Sequence, residues 1–190
     1  MVFSSSRERR LWTWTLVVAV AIFAGIGLAR ALVGWASETG ILGLFYGVGL
    51  FLVVGTIVTQ GLEVRPRGAE LAIGLGVAAV YLLVMTRMTV PADRTHLIEY
   101  SVLAVFIHEA LAERASRGRR IRMTPLTAVL AAATLGLIDE SLQALIPGRV
   151  FDPFDLLFNL LAATLAVSAV VFLRWARAGA RRRARARARQ

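Results

Sequence analysis

Residues 124–175 read TPLTAVLAAATLGLIDESLQALIPGRVFDPFDLLFNLLAATLAVSAVVFLRW. Two stretches of this segment, 126–146 and 154–175, are mostly apolar. Each has about 20 residues, the length of a helix that crosses the roughly 30 Å hydrocarbon layer of a membrane. Pro147 and Gly148 lie between them and predict a turn. The segment therefore predicts a hairpin of two membrane-spanning helices.

The residues in front of each stretch predict where the two helices begin. Thr124-Pro125 and Asp152-Pro153 each combine a residue type that caps helix N-termini with a proline. Proline suits the first helical position because the N–H that it lacks has no partner within the helix. Each pair therefore predicts an N-cap followed by the first residue of a helix.

Four further apolar stretches extend this pattern through the rest of the chain, at 11–28, 41–60, 71–86 and 97–111. Of the 190 residues, 57% are hydrophobic; the mean hydropathy is +0.68. The absence of cysteine excludes disulfides, thiolate chemistry and cysteine-based zinc sites. The predicted fold is all-α, a polytopic membrane bundle of six transmembrane helices.

The arginines predict the orientation of this bundle. All 22 basic residues are arginine, and 18 of them fall in the N-terminal tail, the second and fourth connections and the C-terminal tail. The other four are Arg30, Arg87, Arg94 and Arg149. Because loops rich in positive charge stay in the cytoplasm, the 18 arginines predict that both chain ends are cytoplasmic.

The pattern divides the chain into three segments. Residues 1–86 hold the first three predicted helices, residues 87–175 hold the last three, and residues 176–190 form an arginine-rich tail. The tail consists mostly of alanine and arginine, so we predict that it is disordered and contacts anionic lipid of the inner leaflet. No nucleic-acid partner is expected.

The first apolar stretch follows basic residues, as the apolar part of a signal peptide does. It is longer than is usual for a signal peptide, and Ala29-Arg30-Ala31 is a poor cleavage site because of its arginine. We therefore predict an uncleaved first helix.

Two adjacent acids lie inside the fifth predicted helix. Asp139 and Glu140 precede Pro147 by roughly 10–12 Å of helix rise, and an acid at the middle of a spanning helix costs about 2.5–3.5 kcal/mol. Gln143 follows Glu140 by three residues and shares its face. The pattern indicates either a polar functional site or a buried hydrogen-bonded clamp. We favour the site, because a clamp needs only one amide.

The fourth predicted helix carries two further polar groups. His96, Glu99 and Tyr100 have spacings of three and four, which predict one face at the outer end of the helix. A structural and a functional role are equally open for this group. His108 and Glu109 fall near the cytoplasmic end and are predicted to be interfacial.

The start of the sixth predicted helix adds an acid and an amide. Asp155 occupies the third helical position, where a carboxylate suits the helix dipole. Asn159 lies one turn deeper on the same face, where its amide requires a partner. Arg149 is the one basic residue of this region, and it is predicted to pair with Asp155 or to hold an anionic headgroup.

Three predicted helices thus bring polar residues into the outer half of the bundle, a convergence that is typical of a site. The predicted site residues are His96, Glu99, Tyr100, Asp139, Glu140, Gln143, Arg149, Asp155 and Asn159.

These residues resemble the motifs of the VanZ-like family of membrane proteins. The match runs through His96-x-x-x-Tyr100, Asp139-Glu140-x-x-Gln143, Pro147-Gly148-Arg149 and Asp155-x-x-x-Asn159, within residues 87–174. The resemblance implies a bacterial cell-envelope protein of the cytoplasmic membrane. The founding member of the family is tied to low-level resistance to the glycopeptide teicoplanin. No enzymatic activity is implied.

Two functions are open at this point. The first is a protein whose outer pocket engages a lipid or a lipid-linked envelope precursor, with Arg149 holding an anion while His96 and the acids orient it. The second is a membrane hydrolase or transferase, with Glu140 or Asp139 as general base and His96 as acid or metal ligand. One histidine is a thin ligand set for a divalent metal, so metal and cofactor stay open. Transport ranks last, because the first three predicted helices contain few polar residues.

Overall fold

The computed structural model describes residues 3–26, 28–61, 68–88, 93–119, 121, 123–146 and 150–187. These residues form seven helices and no strand. The helices are α1 (Ser6–Ala24), α2 (Leu28–Glu38), α3 (Leu42–Gly61), α4 (Gly68–Arg87), α5 (Asp93–Ser116), α6 (Thr124–Gln143) and α7 (Pro153–Arg187). The all-α prediction is confirmed for this part of the chain.

The predicted number of helices is wrong by one. The six predicted stretches correspond to α1 and α3–α7, and α2 is additional. It has 11 residues, so it is only about 16 Å long, too short to cross a membrane. The sequence predictions selected apolar stretches long enough to cross a membrane, and a helix of about three turns is too short to be selected.

Two helices are long and apolar enough to cross a membrane when the described residues are considered. They are α6 and the Pro153–Gly179 part of α7. The apolar stretches Leu42–Ile57 and Ala72–Arg87 in α3 and α4 are shorter. The described residues thus support membrane association by two helices, and a six-helix topology goes beyond them.

Helix α5 lies at the centre of the bundle, in contact with α1, α3, α6 and α7. Ala104 of α5 is fully buried, as are Ala132 of α6 and Ala162 of α7. Such small residues let helix backbones approach closely. The hydroxyl groups of Tyr81 on α4 and Ser101 on α5 lie 2.6 Å apart, and both reach the Ala162 carbonyl oxygen at 3.4 Å. These contacts join α4, α5 and α7.

The outward faces of the helices are apolar. Leu44 and Phe51 of α3 are 69% and 75% exposed, Leu75 of α4 is 72% exposed, and Trp175 of α7 is 76% exposed. The interior, in contrast, holds eleven buried polar or charged side chains among the described residues, Asn159 among them at 0% exposure. The outward faces therefore differ from those of a soluble bundle, where charged side chains point outward.

The two predicted caps have different outcomes. Asp152 caps α7 as predicted, because its Oδ1 accepts a hydrogen bond from the Phe154 backbone N–H at 2.8 Å. The prediction for Thr124 is wrong: Thr124 is the first residue of α6, and Met123 is the cap, with φ of 54° and no side-chain hydrogen bond. Pro125 is compatible with a cap at either Met123 or Thr124, so the sequence pattern cannot distinguish the two caps.

The arginine-rich tail is helical as far as Arg187, in continuity with α7. The prediction of disorder is therefore wrong for the described part of the tail. The reason is local, because alanine and arginine are both strong helix formers and the tail extends a helix that is already nucleated.

Candidate functional site

Seven of the nine predicted site residues meet at the end of the bundle where α5 and α7 begin and α6 ends. We call these residues the polar cluster: His96, Tyr100, Asp139, Glu140, Gln143, Asp155 and Asn159. All but Asp155 are buried, and Asp155 is half-buried. Arg149 lies outside the described residues, so its predicted pairing with Asp155 stays a prediction.

Asp139 connects α5 to α6 within this cluster. Its Oδ2 accepts a hydrogen bond of 3.1 Å from the Tyr100 hydroxyl and another of 3.1 Å from Gln143 Nε2. Gln143 thus bonds to the acid four residues before it, whereas the sequence had grouped it with Glu140. Asp139 thus links Tyr100 of α5 to Gln143 of α6, and its predicted role as a general base stays a prediction.

His96 contacts both neighbouring helix ends. Its Nε2 lies 3.6 Å from Asp155 Oδ2, and its ring stacks on Tyr100 with centroids 6.2 Å apart. Its other ring nitrogen, Nδ1, is buried and has no hydrogen-bond partner among the described residues. Asp155 therefore has His96 as a partner, and His96 retains one ring nitrogen for another group.

Glu140 lies near the C-terminal end of α6, about 5 Å of helix rise from Gln143. A carboxylate is electrostatically disfavoured at that end of a helix. One oxygen, Oε1, accepts a hydrogen bond of 2.7 Å from the Asp152 backbone N–H, which connects α6 to the start of α7. The other, Oε2, is buried without a hydrogen-bond partner in the described part of the chain.

Asn159 is fully buried, and neither its amide nitrogen nor its amide oxygen has a hydrogen-bond partner among the residues described. Its side chain packs against Gly136 of α6, where a Cβ atom would lie 2.8 Å from Asn159 Nδ2. Sequence reasoning missed Gly136. A single glycine in an apolar helix does not indicate a close contact by itself. The contact is seen only when the position of the neighbouring helix is known.

Glu99 is set apart from these hydrogen bonds. It is half-buried and lines a groove between α3 and α5, together with Thr95 and Ile98. The described residues contain no group of three or more His, Cys, Asp or Glu side chains arranged to hold a metal ion.

A second polar group, which the sequence analysis missed, lies at the opposite end of α5. We call it the arginine–glutamate network: Arg7, Glu8, Glu109, Glu113, Arg114 and Arg174. Glu109 is 1% exposed, and it pairs with Arg7 at 3.2 Å and with Arg174. His108 beside it is also buried. The network joins α1, α5 and α7.

Glu8 and Glu113 in this network are held in the charged form. Burial alone would raise the pKa of Glu8, but hydrogen bonds from Ser4 and the Arg114 guanidinium lower that pKa to about 2. A hydrogen bond from the Ser5 hydroxyl, together with Arg117 and Arg7, lowers the pKa of Glu113. Arg114 and Glu8 are 106 positions apart in sequence, and Arg7 and Glu109 are 102 apart, so spacing within one helix could not reveal these pairs.

Comparisons with family models, with curated proteins and with solved structures found no match for this chain. The resemblance to the VanZ-like family therefore stays a prediction that rests on the motifs quoted above.

Proposed function

We propose that this chain is a VanZ-like integral membrane protein of the bacterial cell envelope that binds the headgroup of a lipid or lipid-linked precursor in its polar cluster. Six of the seven helices, all but α2, cross the cytoplasmic membrane in this proposal, and both chain ends are cytoplasmic. The proposal combines the motif resemblance with the arrangement of polar and apolar side chains.

The distribution of side chains supports a membrane environment. Leu44, Phe51 and Leu75 are each more than two-thirds exposed, and water would make such large apolar faces costly. Buried ionisable groups such as Glu140 are what membrane bundles place in their interior, away from lipid. Trp14 and Trp175, 55% and 76% exposed, lie close to the arginine-rich ends, where an aromatic belt is expected.

The ion pairs support the proposed orientation. Arg7 at the start of α1, Glu109 in the second half of α5 and Arg174 of α7 are in contact, so these three places lie at one end of the bundle. Each place is adjacent to an arginine-rich segment of the sequence. The positive-inside rule makes that end cytoplasmic and the polar cluster external.

The observation that carries the headgroup proposal is the fully buried amide of Asn159. A buried amide without a partner costs about 1–3 kcal/mol, and buried polar groups in folded proteins are nearly always satisfied. His96 Nδ1 and Glu140 Oε2, at the same end of the bundle, are also buried without hydrogen-bond partners in the described chain. A ligand rich in hydrogen-bonding groups would satisfy all three.

The test is lipid binding by the full-length protein, purified in detergent and delipidated. Phosphatidylethanolamine and phosphatidylglycerol are titrated separately and bound lipid is counted by native mass spectrometry. Asn159→Leu has a similar size but no amide, so we expect about tenfold weaker binding with unchanged or higher thermal stability. Ser141→Ala, an exposed position on α6, is the control. Equal lipid binding by wild type and Asn159→Leu contradicts the proposal.

The contact between His96 and Asp155 favours a second candidate, a membrane hydrolase acting on a lipid headgroup. With hydrogen on Nε2 facing Asp155, Nδ1 keeps a lone pair that can accept a proton from water. That water would attack the headgroup phosphorus, and the alcohol would leave with the proton. Release of radiolabelled headgroup by wild type, abolished by His96→Gln, would establish this activity; no release rejects it.

Two further parts of the proposal come from the sequence. The arginine-rich tail is proposed to contact anionic lipid of the inner leaflet, each arginine near the surface adding up to about 1 kcal/mol. A link to teicoplanin resistance follows only from the family resemblance. Deletion of residues 176–190, followed by vesicle flotation with and without phosphatidylglycerol, tests the first. Growth inhibition by teicoplanin with and without the gene tests the second.

A further inference from the structure

A groove of about 330 Å³ runs between α4 and α7 on the surface of the bundle. Its α4 wall includes Ile73 and Val77, and its α7 wall includes Leu165, Phe172 and Trp175. Phe172 and Trp175 are 59% and 76% exposed, so the groove is open to the surroundings of the bundle. Because these walls are apolar, the groove suits a hydrocarbon chain.

The groove lies in the half of the bundle that contains the arginine-rich end. On α7 it extends from Leu165 to Trp175, about 15 Å of helix, which is half of the roughly 30 Å hydrocarbon layer of a membrane. Trp175 follows Arg174, whose ion pair with Glu109 belongs to the arginine–glutamate network. The groove thus runs from the middle of α7 to the end of the bundle where that network lies.

The sequence around this end of the groove is positively charged. Eight arginines fall between Arg174 and Arg189, and no acid follows Asp155 in the chain. Residues 63–70, which lead into α4, contain two acids and two arginines and so add no net charge. A positive surrounding of this kind attracts an anionic group.

One of these arginines lies on the groove face of α7. The helix is continuous to Arg187, and Arg182 follows Trp175 by seven residues, which is two turns or about 10 Å. Arg182 is exposed. Side chains of a helix lean toward its N-terminus, so the stem of Arg182 leans toward Trp175. The groove is therefore apolar along its length, with a cation beyond its open end.

We propose that the groove between α4 and α7 binds an acyl chain of an anionic phospholipid of the inner leaflet, whose phosphate is held by Arg182. This inference rests on the proposed topology, in which the arginine-rich end is cytoplasmic, and it gives the proposed contact with anionic lipid a defined site. The acyl chain then points toward the middle of the bilayer and the phosphate toward the cytoplasm, as in any lipid of that leaflet.

The first test fills the groove. Gly76 lines it, and a Cβ atom at residue 76 meets nothing within 4 Å. Phosphatidylglycerol bound to full-length, delipidated protein is counted by native mass spectrometry. Gly76→Phe should weaken its binding about tenfold, the loss expected when about two CH₂ groups of the acyl chain are displaced. Gly74→Phe is the matched control, because a Cβ there is equally unhindered but lies on another face of α4.

The second test concerns the charge. Wild type and Asn159→Leu are both expected to prefer phosphatidylglycerol to phosphatidylethanolamine. Arg182→Gln should weaken phosphatidylglycerol binding about fivefold, the contribution of one arginine near an anionic lipid, and leave phosphatidylethanolamine binding unchanged. Arg177→Gln removes the same charge from another face of α7 and is the control.

Four outcomes overturn the inference. They are equal binding of the two lipids by wild type, equal phosphatidylglycerol binding by Gly76→Phe and Gly74→Phe, equal effects of Arg182→Gln and Arg177→Gln, and loss of a dimer with Gly76→Phe while lipid binding is unchanged. The last would make the groove an interface with a second copy of the chain.

Failure of the groove is distinguishable from failure of the proposed function. If the groove variants bind phosphatidylglycerol as wild type does but deletion of residues 176–190 still reduces vesicle flotation, the proposed tail contact stands without the groove. Retention by Asn159→Leu of the lipid that Gly76→Phe loses supports a groove site separate from the polar cluster. Loss of that same lipid by Asn159→Leu assigns it to the polar cluster and rejects the groove.

Discussion

Asn159 of α7 packs its side chain directly over Gly136 of α6, with so little space that a Cβ at residue 136 would lie 2.8 Å from Asn159 Nδ2 and 3.1 Å from Asn159 Cβ. Glu140 follows one turn later on α6. The glycine thus allows α6 and α7 to approach at the place where the polar cluster begins. Helix packing and the shape of the candidate site depend on the same contact.

Gly136→Ala is therefore expected to destabilise the protein and to disturb the site. The added methyl group must displace Asn159, and overpacking of this kind costs about 1–3 kcal/mol. Thermal unfolding in detergent measures the loss, and lipid binding should fall with it. Gly74→Ala on α4 is the control, because a Cβ there meets nothing within 4 Å. Alanine should be neutral or stabilising at residue 74; equal destabilisation at both positions would mean that the close approach is unimportant.

Glu140 and Glu109 are both buried acids of the bundle, but their replacement should have different effects. Glu109→Ala removes the carboxylate that pairs with both Arg174 and Arg7, and leaves Arg7 with Glu113. It should lower the free energy of unfolding by about 2–4 kcal/mol, less than loss of a fully buried pair because both arginines are partly exposed. Glu140→Ala loses one bond to the Asp152 N–H, about 1 kcal/mol.

Glu109→Ala should thus be the more destabilising variant, but Glu140→Ala should be the one that weakens lipid binding more. The comparison of lipid binding uses folded protein of both variants. Chemical denaturation and native mass spectrometry on the same preparations separate the two effects. Glu38→Ala, at an exposed acid of α2, is the control and should change neither the free energy of unfolding nor lipid binding. If Glu140→Ala binds lipid as wild type does, the polar cluster is only structural.

The stability of the arginine–glutamate network is expected to depend on acid pH. The pKa of Glu8 is about 2 in the folded protein, below its ordinary value of 4.5. Its stabilising contribution is therefore complete above about pH 4.5 and is lost as the pH falls from there toward 2. The lowered pKa of Glu113 acts in the same direction.

The measurement is the unfolding temperature in detergent between pH 7 and pH 3, followed by tryptophan fluorescence. Glu8→Gln cannot titrate and should show a smaller decrease in that range than wild type. Glu38→Gln should retain the wild-type decrease. Identical pH profiles for wild type and Glu8→Gln would show that the contact with Arg114 makes no contribution to acid stability.

The proposed topology predicts the location of three reporter fusions. Fusions after Gln190 and after Gly118 should report a cytoplasmic position, and a fusion near Arg149 should report an external one. The physical reason is that the arginine-rich connection and tail are retained on the cytoplasmic side. An external signal at Gly118 would place the polar cluster on the cytoplasmic side and reject a ligand from the outer leaflet.

The sequence alone determined the all-α class, the approximate position of six helices and the cap at Asp152. These features are set by interactions within a few residues: apolar length, proline position and the hydrogen bond of a capping side chain. Sequence reasoning was wrong about two other local features, the short helix α2 and the helical tail. Both depend on helix propensity, which the length of an apolar stretch does not measure.

The sequence also indicated which polar residues would gather near the ends of α5, α6 and α7, because ionisable groups in apolar helices are rare and stand out. Only the tertiary structure decided which of them touch. It paired His96 with Asp155 and Tyr100 with Asp139, set Glu99 beside α3, and placed Asn159 over Gly136. Each of these relations joins separate helices, so it depends on how the helices rotate and approach one another. No spacing within a single helix contains that information.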